Sequence, residues 1–141
     1  MSPVPQPKNA AESTESPYKS TGGPARIVNA LRYSLRGLTV AWRLESAFRQ
    51  ELSLAAVLVP VALVLPLATF EKLALIAVVM LVLIVELLNS AVEAAVDRIS
   101  LEHHQLAGRA KDLGSAAVFL TLMLCTITWA LIAGPLLLAF L

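Results

Sequence analysis

The sequence predicts an all-α membrane protein with three transmembrane helices per chain behind an N-terminal amphipathic surface helix, and three observations carry the prediction. Of 141 residues, 57% are hydrophobic and only 15% are charged, a balance foreign to a soluble domain of this size. The apolar residues come in blocks: Leu52 to Thr69, Leu73 to Val85 and Leu113 to Leu141 contain no charge. The basic residues are lopsided, seven of the eleven (Lys8, Lys19, Arg26, Arg32, Arg36, Arg43, Arg49) preceding the first block. A hydrocarbon core of about 30 Å takes roughly 20 apolar residues per helix. The first and third blocks meet this directly, and the second does so if its helix continues into the charged stretch that follows. The expected spans are 50–69, 73–98 and 113–140.

The formal net charge of +1 carries little information, because orientation follows where Lys and Arg sit relative to the spans. Lys72 alone lies between spans one and two, whereas Arg98, Arg109 and Lys111 lie between spans two and three. The N-terminus and second connection are therefore expected in the cytoplasm and the C-terminus outside. Cys125 is the single cysteine, which excludes an intrachain disulfide and a Cys-based zinc site. It reads as a small apolar residue of a helix.

Residues 1–25 hold five prolines among Ser, Thr, Glu and Gly, too little apolar surface to offset the entropy of ordering. A disordered leader is expected, and it has no apolar core or cleavage motif of a signal peptide. Over 26–45 the pattern becomes helical. Ile27, Leu31, Leu35, Leu38 and Trp42 fall within an arc of about 80°, with Arg26, Arg32, Arg36 and Arg43 on another side. An Arg-rich face beside Leu and Trp suits the headgroup zone of anionic lipid; a helix packed on its own protein is the competing reading. Glu45 breaks the pattern, because the same wheel puts it on the apolar arc beside Ile27. Either the chain bends before it or its carboxylate has a partner. Span one carries Pro60 and Pro66, tolerated where neighbours re-satisfy the freed carbonyls, and Thr69 to Lys72 is expected as a tight external turn.

The second span opens as pure hydrocarbon and then reads Glu86-Leu87-Leu88-Asn89-Ser90-Ala91-Val92-Glu93-Ala94-Ala95-Val96-Asp97-Arg98. With no Gly or Pro, one helix should run through it. Relative to Glu86, Asn89 lies at about 300°, Ser90 at about 40°, Glu93 at about 340° and Asp97 at about 20°, so the polar groups form one stripe. At about 1.5 Å per residue the stripe runs roughly 16 Å from Glu86 to Asp97. Arg98 to Asp112 is expected as a cytoplasmic connection, and its adjacent His103 and His104 read as solvated loop residues. Span three then carries Ser115, Thr121, Thr126, Thr128 and Trp129, and Gly134-Pro135 marks a kink.

An acid inside a span costs about 2.5 to 3.5 kcal/mol on insertion scales, and this chain puts three on one helix side within twelve residues. A structural account keeps Glu86 neutral and hydrogen-bonded to a neighbouring helix, with Asp97 paired to Arg98 or Lys111. Two functional accounts compete with it. The acids could chelate a divalent cation and supply a general base, since Mg²⁺ takes carboxylate oxygens and bridges to substrate phosphates; or they could relay protons or cations through an oligomer of small subunits. A relay has no use for a Gly-Arg-Ala-Lys-Asp segment, a basic interfacial helix and a Glu at the entrance of span one, all of which serve phosphoryl transfer. Soluble nucleotide-binding motifs are absent from the sequence.

At these residues the chain resembles the prokaryotic diacylglycerol kinase family. The likeness rests on Ala41-Trp42 with Glu45-Ser46-Ala47-Phe48-Arg49-Gln50-Glu51, on Val85 to Glu93 through Asp97-Arg98, and on Gly108-Arg109-Ala110-Lys111-Asp112 with Gly114-Ser115-Ala116-Ala117. It runs in unbroken order over roughly residues 25 to 132. The resemblance implies a homotrimer in the bacterial cytoplasmic (inner) membrane, with the C-terminus periplasmic, that transfers phosphate from ATP to diacylglycerol with Mg²⁺ and makes phosphatidate. It makes Glu86 the general base, Asn89 its support, and Glu45 with Glu93 the metal-binding pair on the ATP phosphates, with Ser90 and Asp97 assisting. Arg26, Tyr33, Glu102, His103, His104, Lys111 and Asp112 match nucleotide-contacting positions, and Ala47, Phe48, Arg49, Gln50, Glu51, Ser115 and Trp129 match positions near the lipid substrate. One departure stands out: Asn29 occupies the place of an expected lysine, which leaves that part of a phosphate clamp missing or moved to Arg32 or Arg36. An undecaprenol kinase of the same superfamily would use identical chemistry on a polyprenol, and a small cation or proton conduit is the rival of another class.

Overall fold

A computed structural model describes residues 24–99 and 105–139, which form five helices: α1 (Pro24–Leu44), α2 (Ser46–Val64), α3 (Thr69–Ile99), α4 (Gln105–Ile132) and α5 (Gly134–Ala139). The leader expected over 1–25 lies outside the described residues up to position 23, as do Glu102, His103 and His104. The chain divides into two compact units, Met1–Leu35 and Arg36–Leu141. Within the first, the described part is a stretch of α1 in which Ser34 Oγ donates to the Ala30 carbonyl at 3.0 Å and Ile27 and Leu31 are exposed.

In the second unit, α1 continues through Gly37 without a break and stops one residue before the expected boundary. Glu45 is extended (φ −101°, ψ 114°), so the chain bends at the residue whose carboxylate did not suit the helical wheel. The bend is held on both sides. Glu45 N–H still donates to the Ala41 carbonyl at 2.9 Å, and Arg49 reaches back from α2 to donate to the carbonyls of Trp42 and Arg43, each at 3.3 Å. A guanidinium on the last carbonyls satisfies groups with no helical partner and favours the negative end of the helix dipole.

Helix α2 carries Pro60 in its interior and ends at Val64. Leu65 takes ψ 144° because the ring of Pro66 drives the preceding residue out of the helical region. This corrects the expected turn: the connection is Leu65–Ala68, and Thr69 to Lys72 form the first turn of α3. The Glu71 carboxylate accepts from Ala68 N–H at 2.8 Å, half of a capping box, and Lys72 Nζ donates to the Leu63 carbonyl at 2.8 Å. One turn thus caps both helices that meet there, and the helix that carries the span expected over 50–69 runs from 46 to 64.

Helix α3 runs unbroken for 31 residues, about 46 Å, longer than the hydrocarbon thickness. The connection expected over Arg98–Asp112 is helical from Gln105 onward. Arg109, Ala110 and Lys111 are strong helix formers, and Lys111 is tied to α3 by an ion pair with Asp97. The helix that carries the span expected over 113–140 accordingly begins at 105, and it breaks at Ala133, ahead of Gly134-Pro135, where α5 starts.

Helix α3 packs against both α2 and α4. A core of Ala41, Phe48, Ala55, Val79 and Leu83 is flanked by Leu52, Leu58, Val59, Leu87, Cys125 and Trp129. Three helices, α2, α3 and α4, are long and apolar enough to cross a membrane. Helix α4 contributes no buried residue and exposes Leu113, Phe119, Leu120 and Leu131, an outward apolar surface fit for lipid or another helix.

Candidate active site

The bend at Glu45, the polar stripe of α3 and one face of α4 meet at a cleft of about 340 Å³ lined by Glu45, Ser46, Ala47, Glu86, Asn89, Glu93, Ser115 and Val118. Each element delivers its share for a local reason. The extended Glu45 turns Glu45-Ser46-Ala47 toward α3. Uninterrupted helix keeps Glu86, Asn89 and Glu93 on one side by their spacing of three, four and seven. On α4, Lys111, Gly114, Ser115 and Val118 recur at the same intervals, the signature of a single face.

Glu86 is 4% exposed and is the buried charged side chain among the described residues. Asn89 Nδ2 donates to Glu93 Oε1 at 3.0 Å, which fixes one carboxylate oxygen. Asn89 Oδ1 is buried without a hydrogen-bond partner. It lies against Gly114 of α4, where an added Cβ would overlap Oδ1 and stand 3.2 Å from Cγ. Farther along the two helices, Lys111 Nζ meets Asp97 Oδ1 at 2.6 Å, with both side chains substantially exposed. Three carboxylates in one cleft, one of them buried, call for a counter-charge, because an uncompensated buried charge is strongly destabilising.

The residues expected at the site divide clearly. Glu45, Ala47, Glu86, Asn89, Glu93 and Ser115 come together in the cleft, while Ser90 is half-buried on α3 and does not line it. Phe48 is a core residue at 2% exposure, Arg49 caps α1, and Gln50 is exposed. Glu51 lines a separate, mostly apolar cavity with Leu54, Leu58 and Cys125, among others, and its Oε2 has no hydrogen-bond partner. Trp129 packs on the core with its indole Nε1 likewise buried and unpartnered. Asp112 is exposed on α4, and Arg26 and Tyr33 are exposed on α1 within the first unit. Ser46, Gly114 and Val118 were given no role from the sequence; the spacing from Lys111 could have found the last two. Among the described residues, no group of three or more His, Cys, Asp or Glu side chains forms a ready metal cluster.

Membrane-length helices with carboxylates converging on a cleft between them define an integral membrane protein with an acidic site inside its helical bundle. Residues 32–133 match the family described as prokaryotic diacylglycerol kinase, and the chain belongs to that family. The chain is 55% identical over 117 residues to the diacylglycerol kinase of Pseudomonas aeruginosa, an overlap covering 83% of this chain and 95% of the relative. It is 49% identical over 113 residues to the diacylglycerol kinase of Escherichia coli strain K12, covering 80% and 93% of the two chains. Against the diacylglycerol kinase of Haemophilus influenzae the identity is 48% over 112 residues, covering 79% and 94%. The resemblance drawn from the sequence motifs and the family matched along the chain are the same, and the protein is a membrane lipid kinase.

Proposed function

We propose that the cleft transfers the γ-phosphoryl group of ATP to the free hydroxyl of diacylglycerol, giving phosphatidate at the cytoplasmic face of the bacterial inner membrane. The observation that carries the proposal is Glu86: a carboxylate 4% exposed that lines a cleft together with two further carboxylates. In the reaction the lipid hydroxyl oxygen bonds to the γ-phosphorus as the bond to the β–γ bridging oxygen breaks and ADP departs. Glu86 takes the hydroxyl proton as general base. No covalent phosphoenzyme is required.

The donor set fits a hard divalent cation. Glu45 and Glu93 reach the cleft from different elements, and Mg²⁺ uses one or two carboxylates while taking its remaining ligands from water and phosphates, so a preassembled three-residue cluster is not needed. Glu45 and Glu93 would hold the ion, which when bound would offset the negative charge of the phosphates. Asn89, which the resemblance makes the support of Glu86, also steadies Glu93 through its amide, and Lys111 adds positive charge beyond the cleft. Arg26, Tyr33, Lys111, Asp112 and the Glu102 to His104 segment are assigned to the nucleotide, with the cation expected at Asn29 missing or moved to Arg32 or Arg36. Ala47 to Glu51, Ser115 and Trp129 are assigned to the lipid side, with Ser90 and Asp97 in support. The working unit is a homotrimer with its N-terminus cytoplasmic and C-terminus periplasmic.

Diacylglycerol is preferred over a polyprenol because the relatives described above carry the diacylglycerol kinase name, which also weighs against a cation or proton conduit. Labelled ATP is to be supplied to the protein in mixed micelles containing diacylglycerol or undecaprenol. Label in phosphatidate supports the proposal; label only in undecaprenyl phosphate contradicts the substrate, and no transfer to either contradicts the reaction.

A further inference from the structure

We infer that Gly114 is a positioning residue: the missing side chain on α4 leaves the space in which Asn89 lies, and thereby sets the hydrogen bond by which Asn89 orients Glu93. The inference deepens the proposed function and rests on it for its kinetic consequence, but its geometric part stands on α3 and α4 alone.

Two observations meet at this point. A Cβ on residue 114 would overlap Asn89 Oδ1, come within 3.2 Å of Cγ and lie 3.9 Å from the Asn89 Cβ. The same Oδ1 is buried with no hydrogen-bond partner, while the other amide atom, Nδ2, donates to Glu93 Oε1 at 3.0 Å. The amide is therefore turned by its partners on α3 and α4. Its donor faces an anionic oxygen, and the reverse orientation would set two acceptors against each other. Its acceptor end, left without a strong donor, is accommodated only because residue 114 offers hydrogen in place of a methyl group.

An alanine at 114 would not find α3 backbone in its way. The obstructing atoms are the end of a side chain, so the helices can stay where they are and Asn89 moves instead. Rotation away from α4 withdraws Nδ2 from Glu93. Alanine is also the better helix former, so a variant that damages the site has no reason to unfold α4. Gly37 and Gly108 have no atom within 4 Å of an added Cβ, which separates Gly114 from glycines that are merely helical.

The test uses the full chain in micelles and the Gly114→Ala, Asn89→Ala and doubly substituted proteins. The Asn89 side-chain amide is observed by ¹H–¹⁵N NMR, its signals assigned by their loss in Asn89→Ala, and their response to Glu93→Gln reports the hydrogen bond without any turnover. The expected result is that Gly114→Ala shifts both amide proton signals and abolishes that response. Kinetically, Gly114→Ala should lower kcat/KM for the metal–nucleotide about tenfold, and adding it to Asn89→Ala should cost nothing further, since residues acting through one contact are not additive. An Asn89 amide unmoved by Gly114→Ala overturns the inference, as does a double variant about tenfold worse than Asn89→Ala. An amide that moves while kcat/KM stays at the wild-type value contradicts instead the role given to Asn89 in the proposed function.

Discussion

At the scale of single residues, the acids of α3 do different things although the sequence writes them as one stripe. Glu86 is buried, Glu93 is fixed by Asn89 at 3.0 Å, and Asp97 meets Lys111 in the open. Helical periodicity was enough to put the three on one side, because spacing alone fixes the angle. Depth and partners were not legible, since they depend on which helix lies opposite. On the proposed assignment, Glu93→Gln should raise KM for the metal–nucleotide about tenfold and change kcat less, the pattern of lost ground-state binding; steady-state kinetics at varied nucleotide check it. Asp97→Asn removes an exposed ion pair and should leave the thermal unfolding midpoint in micelles close to that of the wild type. A marked fall would show that this pair holds α3 and α4 together.

At the scale of elements, the joints between helices decide where the site falls. The misfit of Glu45 on the α1 wheel was visible in the sequence, and the bend at that residue accounts for it. What the sequence did not reveal was the lock, Arg49 reaching back to two α1 carbonyls, because a side chain that caps a preceding helix leaves no periodic trace. Arg49→Met keeps the aliphatic stem and removes the cap, so it should lower stability by about 1 kcal/mol and be read as a fall in the unfolding midpoint. The other joints were misplaced for similar reasons. An uncharged block continues through Leu65–Ala68 although Pro66 ends the helix, and the charges of 105–112 suggested a loop although most of those residues favour helix.

At the scale of the whole molecule, the class of fold was legible from the uncharged blocks alone, since nothing but a membrane solvates so much apolar helix. The surroundings of α4 were not. A helix with no buried residue needs lipid or further copies of the chain against it, and the proposed homotrimer should appear as a protein mass of about three chains by light scattering in mild detergent; a monomer of full activity would contradict that assembly. The central claim is narrower than the assembly and concerns the buried carboxylate in the cleft. Its most direct test is turnover of Glu86→Gln in mixed micelles of diacylglycerol with saturating metal–ATP, using protein whose assembly matches the wild type. The account predicts a loss of at least about 100-fold in kcat, as expected for removal of a general base, with little change in nucleotide KM. Wild-type turnover by Glu86→Gln would contradict it.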